Sequence, residues 1–390
     1  MNADVGSQTS NTQVLVVGIS TRAAAESAAR AGFAVTAVDR FADVDQHPSV
    51  RAHSLGDQFS PDAAARYGRN ITCAAAAYGS NFENHPSAIA LLAQGRALWG
   101  NAPDAVRRVR DPKLLSDTLR RRGLAAPAVA SDESQIPNPE SRPEWLLKPR
   151  ASGGGHRIRR WQERHEVPRR HYLQEFIEGA PASIVFVACG GAVVPIGFSR
   201  QLIGDEAFGV SGFRYCGNIL TAAGEDDDLL DAARRTAAAV GEEFGLVGVN
   251  GIDLVVRNGV PYAIEVNPRW CASMELVERT YGLSVFGAHA AACRDGRLPV
   301  FDLAAARRRA IAVGKAIVFA RRELTVGDVR AELTSLVRSG DLRDIPKACT
   351  TIQAGRPICT VFAVGRRAAD CRAELVRRAA AIEASLTAML

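Results

Sequence analysis

Two strand-like segments joined by an Asn-Gly pair place the tightest constraint on how this chain folds. The segments are Val249–Leu254 (VNGIDL) and Tyr262–Arg269 (YAIEVNPR), and Asn258-Gly259 lies between them. Asn-Gly supplies the two positive-φ residues of a type I′ turn, so the pattern predicts a β-hairpin. Side chains alternate along a strand, and Glu265 and Asn267 therefore point to the same face.

The predicted hairpin gathers oxygen donors. Asp253 lies on its first strand, and Glu265 and Asn267 lie on its second. Hard oxygen ligands with room for water and phosphate are typical of Mg²⁺ sites, so these residues are candidate metal ligands. Arg269 extends the same row and adds a planar cation. The alternative interpretation is a surface hairpin with one polar face, and the hairpin alone does not decide between them.

Composition limits the classes of function. A chain of 390 residues with 47% hydrophobic residues predicts two or three globular domains. The net charge of +6 comes from scattered Arg, without a basic stripe interleaved with aromatic residues, which disfavours nucleic-acid binding. The 8 cysteines are spread singly, as in a reducing compartment. Residues 1–12 read as a polar, disordered tail, and no apolar run approaches the ~20 residues of a membrane span. We expect a cytoplasmic protein without a membrane or nucleic-acid partner.

The N-terminal pattern predicts a parallel sheet. Val14–Gly18 reads as a buried strand, Arg22–Ala31 as a helix and Ala34–Val38 as a second strand, which together require a crossover connection. The glycine turn between them is not GxGxxG, so a NAD site is poorly supported. A later strand, Ile71–Ala77, leads into the polar loop Tyr78–Pro86.

That loop is a candidate substrate site, because ligands of open parallel sheets bind at the carboxyl ends of the strands. Its candidate residues are Asn81, Glu83, Asn84 and His85. For each of them singly, a hydrogen-bonded turn before a helix is the alternative.

A Gly-rich connection marks the middle of the chain. The strand Trp145–Pro149 runs into Ala151–His156, whose glycines allow backbone N–H groups to close over phosphates. Upstream, Asp111 and Pro112 predict a helix start, with an N-cap and Pro at the first helical position. The last region is predicted to contain a strand over Ile311–Phe319, a helix over Val326–Val337 and a C-terminal helix from about Ala368.

This order of motifs resembles the ATP-grasp superfamily of carboxylate–amine ligases. The resemblance is most specific in Trp145–Gly155, Gln174–Gly179 and Gly248–Arg269, and the segments Asp344–Pro346 and Gly355–Ile358 are similar to the closing domain of biotin-carboxylase-like members. It implies an α/β fold in three parts. These are a Rossmann-like parallel sheet over 13–105, an α+β ATP-grasp domain over 106–308 with a lid at about 125–180, and a small C-terminal α/β domain over 309–390.

The resemblance also implies roles for individual residues. Lys113 and Lys148 would contact the ATP phosphates, with Gly153, Gly154 and Gly155 as the lid. The nucleoside would be held by Glu175, Phe176, Ile177, Glu178 and Ser183, and the ribose contact is left open between Glu178 and Ser183. Mg²⁺, with Mn²⁺ as an alternative, would be bound by Asp253, Glu265 and Asn267. Arg269, together with Lys148, would be catalytic, and Arg200 and Arg214 would face an anionic substrate.

The implied activity is that of an ATP-dependent ligase in cofactor or small-metabolite biosynthesis. Such an enzyme activates a carboxylate as an acyl phosphate, releases ADP and phosphate, and joins the acyl group to an amine or similar nucleophile. The resemblance also implies a homodimer paired through the N-terminal domains. Two alternatives stay open: an ATP-grasp carboxylase or phosphotransferase, and a nucleotide-binding regulator without catalysis. The intact set of Asp253, Glu265 and Asn267 argues against the regulator.

Overall fold

The computed structural model describes residues 12–136, 144–162, 166–327 and 334–387, so nearly all of the predicted tail lies outside it. The helices are α1 (Arg22–Arg30), α2 (Pro61–Arg69), α3 (Pro86–Leu92), α4 (Pro103–Val109), α5 (Pro112–Arg121), α6 (Asp227–Phe244), α7 (Met274–Tyr281), α8 (Val285–Asp295), α9 (Leu303–Arg308), α10 (Thr334–Arg338) and α11 (Ala368–Thr387). None of these described helices is long and apolar enough to cross a membrane.

The strands complete the set of elements. They are β1 (Gln13–Val17), β2 (Ala34–Asp39), β3 (Val50–Ser54), β4 (Ala75–Tyr78), β5 (Ala97–Trp99), β6 (Val129–Ala130), β7 (Trp145–Pro149), β8 (Arg159–Arg160), β9 (His171–Glu175), β10 (Ala180–Cys189), β11 (Ala192–Ile203), β12 (Tyr215–Leu220), β13 (Gly248–Arg257), β14 (Val260–Asn267), β15 (Ala312–Phe319), β16 (Leu324–Thr325), β17 (Leu342–Arg343), β18 (Thr351–Ile352) and β19 (Pro357–Gly365).

The N-terminal sheet is parallel, as predicted, with the order β3-β2-β1-β4-β5. Helices cover both of its faces, which is why β1 is apolar at nearly every position. Ala25 of α1 and Phe286 of α8 pack on the side of Val16, whereas Ile89 of α3 packs on the side of Leu15. The carboxyl ends of β1, β2 and β4 therefore open towards the rest of the molecule.

A large antiparallel sheet forms the centre. Its eight strands run β14-β13-β10-β11-β12-β15-β19-β17. Of the strands after residue 309, β15, β17 and β19 continue this sheet, with Gly217 of β12 opposite Ala316 of β15. The short strands β16 and β18 pair with each other in a separate two-stranded sheet. The mixed α/β architecture is confirmed, and the domain boundaries stay predictions.

The predicted hairpin is present as β13 and β14. Asn258 and Gly259 both have positive φ, 52° and 75°, as a type I′ turn requires. Asp253 lies opposite Glu265, and a register shift follows, because Leu254 pairs with Ala263 and leaves Ile264 as the additional residue. The turn was predictable because it depends on two adjacent residues only.

A smaller sheet, β6-β9-β7-β8, carries the Gly-rich segment between β7 and β8. The segment lies against the β11–β12 connection, where the N–H of Tyr215 donates to the carbonyl of Gly154 at 3.1 Å. Gly155 has a φ of +72°, and a Cβ atom there would lie 1.7 Å from the carbonyl oxygen of Phe213. No other residue type fits this contact.

Two predicted element boundaries are wrong. In the helix predicted over Val326–Val337, Val326 is not helical, residues 328–333 lie outside the described residues, and Thr334–Arg338 form α10. Val326 is buried and its N–H donates to the carbonyl of Thr350 at 3.0 Å, so long-range pairing prevails over local helix propensity. The strand predicted from Ile71 begins at Ala75.

Candidate functional site

A cleft of about 480 Å³ lies between the start of α5, the Gly-rich segment, β9 and β14. Its walls carry both signs of charge and two of the lid glycines. Six of the lining residues are Arg110, Lys148, Gly153, Gly155, Tyr172 and Glu265.

The three candidate metal ligands meet at one edge of the hairpin. Asp253 accepts hydrogen bonds from Gln201 Nε2 at 2.9 Å and from Asn267 Nδ2 at 3.0 Å. Burial, and then the charge of Glu265, raise the pKa of Asp253 to about 6. Burial alone would also raise the pKa of Glu265, but Arg110, Lys148 and Arg269 lower it.

The half-buried carboxylates of Asp253 and Glu265 lie at opposite positions of paired strands and repel each other, and a divalent cation would relieve that repulsion. The donors are oxygen atoms only, which suits Mg²⁺ or Mn²⁺. Across the described residues no group of three His, Cys, Asp or Glu side chains is arranged to hold a metal. The set therefore depends on the amide oxygen of Asn267 as its third protein donor.

Arg269 joins this hairpin to the parallel sheet. Its Nη2 donates to Glu83 Oε1 at 2.6 Å and to Asn267 Oδ1 at 3.0 Å. Burial would lower the pKa of Arg269, but Glu83 raises it above its ordinary value. Glu83 Oε2 and Arg269 Nε are buried and have no hydrogen-bond partner among the described residues. The predicted substrate loop and the predicted catalytic arginine are thus in direct contact.

The two predicted phosphate-binding lysines have different surroundings. Lys148 is buried, lines the cleft, and donates from Nζ to Gln174 Oε1 at 3.0 Å. Lys113 has a side chain that is 59% exposed and pairs with Asp117 on the outside of α5 at 3.0 Å. Lys113 is not among the residues that line the cleft.

Sequence reasoning missed Arg110, which enters the cleft where Lys113 was expected. Arg110 forms an ion pair with Glu265 and donates to the carbonyl of Val266 at 3.2 Å. The one local signal was its position directly before Asp111, the N-cap of α5. Charged residues are common at such positions, so this signal was weak.

Four of the predicted nucleoside residues, Glu175–Glu178, lie at the end of β9 and directly after it, and the fifth, Ser183, lies in β10. Glu175 Oε2 accepts from the N–H of Ala128 at 2.9 Å, and the guanidinium of Arg160 lies over the Phe176 ring at 4.2 Å. Ile177 is buried and Glu178 is exposed. Ser183 is buried inside the central sheet, 2.9 Å from Ser199 Oγ.

The remaining predicted substrate residues divide into two groups. Asn84 donates to the carbonyl of Ser152 at 3.3 Å and so links the loop after β4 to the Gly-rich segment. Asn81 has a φ of 82° and begins a short turn, and half-buried His85 precedes α3.

Arg200 and Arg214 form the second group. Arg200 is paired with Asp226 at 2.8 Å, and Arg214 Nη2 lies 3.5 Å from the carbonyl of Gly355. Neither side chain lines the cleft described above or its neighbour.

That neighbouring cleft, of about 400 Å³, lies at the carboxyl ends of β1 and β4. Trp270, the residue after Arg269, forms part of its wall together with Tyr78 and Phe286. Ser20, Thr21 and Ser80 add polar groups to this largely apolar pocket. In the sequence, Arg269 falls between Val266, which lines the first cleft, and Trp270, which lines this one.

A Gly-rich segment over a cleft that holds a buried lysine, beside a row of carboxylate and amide oxygens, has the groups that a phosphate and its metal ion require. Residues 110–273 match the family model described as the ATP-grasp domain, so the chain carries an ATP-grasp domain. This class includes ligases and carboxylases.

Two relatives match the chain at the level of sequence. The chain is 21% identical over 378 residues to an uncharacterized protein of Methanocaldococcus jannaschii, a match that covers 90% of this chain and 88% of that one. It spans about a fifth of the carbamoyl phosphate synthase large chain of Pseudomonas aeruginosa, at 26% identity over 214 residues and half of this chain.

Two solved structures share the fold over nearly the whole chain. The L-amino acid ligase from Bacillus licheniformis has a TM-score of 0.68 at 15% identity, covering 95% of this chain and 97% of that one. Biotin carboxylase from Campylobacter jejuni has a TM-score of 0.68 at 14% identity, covering 95% and 91%. At these identities the likeness shows the fold alone.

Proposed function

We propose that this protein is an ATP-dependent ligase that activates a carboxylate as an acyl phosphate and couples it to an amine or similar nucleophile. ATP would occupy the cleft beneath the Gly-rich segment, with the adenine towards Glu175–Ile177 and the phosphates towards Lys148. The carboxylate substrate would occupy the neighbouring cleft. Its reacting end would then lie beside Arg269, between the two compartments.

One juxtaposition supports this function above all. Arg269 contacts Glu83 from the turn after β4 and Asn267 at the end of β14, two residues beyond Glu265, which lines the first cleft. A cation fixed at such a point can neutralise two anions that must be brought together. The unpartnered Nε of Arg269 is a donor for such an anion, and the unpartnered Oε2 of Glu83 is an acceptor for the N–H of an amine substrate.

The residues fit the chemistry. Asp253, Glu265 and Asn267 would hold Mg²⁺, which neutralises phosphate charge when bound. A carboxylate oxygen attacks the γ-phosphorus and the bond to ADP breaks, giving an acyl phosphate. The amine nitrogen then attacks the acyl carbon, phosphate leaves, and the nitrogen loses a proton. Arg269 orients the carboxylate for the first step and balances its charge.

Exclusion of water follows from the position of the glycine lid. Gly153 and Gly155 line the cleft, and Gly154 is hydrogen-bonded to Tyr215 on the central sheet. A lid closed in this way protects an acyl phosphate from hydrolysis.

The experiment is phosphorus NMR of the purified protein with Mg-ATP and a pool of amino acids and small carboxylates, beside a Lys148→Ala variant. The expected result is substrate-dependent ADP and phosphate, absent in the variant. AMP and pyrophosphate would rule out the acyl-phosphate mechanism. No turnover by a folded protein that still binds ATP would favour the regulator interpretation.

A carboxylase is the second candidate, because the chain shares its fold with biotin carboxylase over 95% of its length. The same NMR experiment separates the two candidates if bicarbonate is tested in its own arm. Formation of ADP that requires bicarbonate and not an organic acid would favour carboxylation over amide formation.

A further inference from the structure

Arg110 occupies a central position in the cleft that the ligase function does not account for. It follows α4, and its side chain is only 12% exposed. Besides its ion pair with Glu265, its Nη2 donates to Asn84 Oδ1 at 3.1 Å and to the carbonyl of Ser152 at 3.3 Å. One guanidinium therefore contacts the hairpin, the loop after β4 and the Gly-rich segment.

Lys113 and Arg110 differ in their surroundings. Both are basic residues at the head of α5, but Lys113 is solvent-exposed and bound to Asp117. Arg110 lines the same cleft as Lys148 and Gly153. A phosphate chain lying beneath the glycines would therefore meet Arg110 and Lys148 and would be remote from the Lys113–Asp117 pair.

Arg110 also has spare capacity for an anion. An arginine offers five N–H donors in a planar fork that matches phosphate oxygens. The Nε of Arg110 is buried and has no hydrogen-bond partner within the described parts of the chain. A buried donor left unpaired is costly, and an acceptor that arrives with a ligand would satisfy it.

Arg110 and a metal ion would compete for the carboxylate of Glu265. Its carboxylate is paired with Arg110 and is also one of the candidate metal ligands. A divalent cation on Glu265 would repel the guanidinium at contact distance. Phosphate oxygens brought by the same ligand would offer the guanidinium a replacement partner.

We propose that Arg110, and not Lys113, is the phosphate-binding cation at the head of α5, and that it exchanges Glu265 for phosphate when the metal–nucleotide complex binds. Arg110 holds Glu265 in place until the metal arrives. Because it also contacts Ser152 and Asn84, the exchange couples phosphate binding to the Gly-rich segment and to the substrate loop. This inference rests on the proposed ATP-dependent function.

The first test is the affinity for ADP, measured by isothermal titration calorimetry with and without Mg²⁺. The variants are Arg110→Ala, Arg110→Lys and, as the matched control, Lys113→Ala. Loss of a hydrogen bond to a charged group corresponds to roughly tenfold or more in affinity. We expect that loss in Arg110→Ala, a partial recovery in Arg110→Lys, and less than about a twofold change in Lys113→Ala.

The outcomes separate this inference from the function on which it rests. If the unmodified protein does not bind ADP, the nucleotide-dependent function fails. If it binds ADP and Lys113→Ala weakens binding more than Arg110→Ala, only the assignment of Arg110 is overturned. Circular dichroism and thermal unfolding of each variant identify a loss caused by misfolding, and Arg110→Lys then decides the matter because it retains the positive charge.

The second test addresses the exchange itself, with Mn²⁺ as the probe and electron paramagnetic resonance as the readout. In the absence of nucleotide, Arg110→Ala should bind Mn²⁺ more tightly than the unmodified protein, because the cation that competes for Glu265 is gone. Equal or weaker Mn²⁺ binding by a folded Arg110→Ala variant would overturn the exchange. Lys113→Ala should bind Mn²⁺ as the unmodified protein does.

Discussion

Two clusters of buried charge in this protein differ in how completely they are paired. The first surrounds Arg22 of α1, whose side chain is fully buried. Arg22 donates to Asp344 Oδ1 at 2.6 Å, to Glu275 Oε1 at 2.7 Å and to Glu26 Oε2 at 3.1 Å. Lys315 pairs with the other oxygen of Glu275 at 2.7 Å. This cluster ties α1, α7 and the C-terminal strands together.

The second cluster is the cleft, where pairing is incomplete. Glu83 Oε2, Arg110 Nε and Arg269 Nε are buried without a partner among the described residues. By contrast, burial would raise the pKa of Glu275, but Arg22 and Lys315 hold it well below its ordinary value. The Arg22 cluster, in which the charges are paired, holds elements of the fold together. The cleft, in which some buried polar atoms are unpaired, is open to a ligand.

The largest expected effect concerns the cleft. Glu265→Gln should reduce ATP turnover to background, roughly a hundredfold or more, because it removes a charge that the metal needs. The fold should be retained, as measured by circular dichroism, while ADP release is followed in a coupled assay. Glu242→Gln, on a side chain 64% exposed, is the matched control. Unchanged turnover in Glu265→Gln would remove the metal assignment.

A substitution in the Arg22 cluster should lower the stability of the fold and should not act through the chemistry of the cleft. Arg22→Met removes the arginine that pairs with Asp344 and one of the two buried cations that pair with Glu275, so the free energy of unfolding should fall by about 3–5 kcal/mol. Arg30→Met on the same helix, at a side chain 50% exposed, should cost less than about 1 kcal/mol. Urea denaturation measures both. Equal losses of unfolding free energy in the two variants would show that the buried ion pairs of Arg22 do not stabilise the fold more than an exposed pair does.

The glycine lid gives an intermediate effect with a close control. In Gly155→Ala the new Cβ would collide with the carbonyl oxygen of Phe213 at 1.7 Å, whereas a Cβ on Gly153 would meet nothing within 4 Å. We expect Gly155→Ala to weaken ADP binding by about tenfold, since the strained segment must move, and Gly153→Ala to change it little. Similar ADP affinities in the two variants would contradict the close contact between Gly155 and the carbonyl of Phe213.

The last effect lies beside Arg22 and depends on pH. Burial, followed by the charges of Asp344, Asp39 and Asp45 and opposed by Arg22, raises the pKa of Asp43 to about 9. The folded protein thus binds a proton that the unfolded chain loses near pH ~4. Stability from this group is full at low pH and declines as the pH rises from ~4 to about 9.

Asp43→Asn cannot ionise, so it should unfold at a higher temperature than the unmodified protein at pH 8, with a gain that shrinks towards pH 5. Differential scanning calorimetry at both values measures this. Asp57→Asn, on a side chain 97% exposed, is the control and should show no such trend. A gain at pH 5 equal to that at pH 8 would contradict the raised pKa.

The local sequence was sufficient to predict the features that depend on a single structural element. The hairpin of β13 and β14 depends on Asn258-Gly259, and the start of α5 depends on Asp111 and Pro112, which cap it as predicted. The parallel sheet follows from apolar strands separated by a helix. Lys113 and Arg110 could not be told apart in this way, because the direction of a side chain at a helix start depends on what packs around it.

The sequence by itself determined the class of fold, the hairpin with its row of Asp253, Glu265 and Asn267, and the glycine segment. Each of these depends on neighbours in the chain, whose geometry is set by backbone sterics and alternation. Only the tertiary structure decided that Arg269 meets Glu83, that Arg110 enters the cleft, and that Arg22 gathers Glu275 and Asp344. These partners lie from 155 to 322 positions apart, and burial determines which charges meet once the sheets pack.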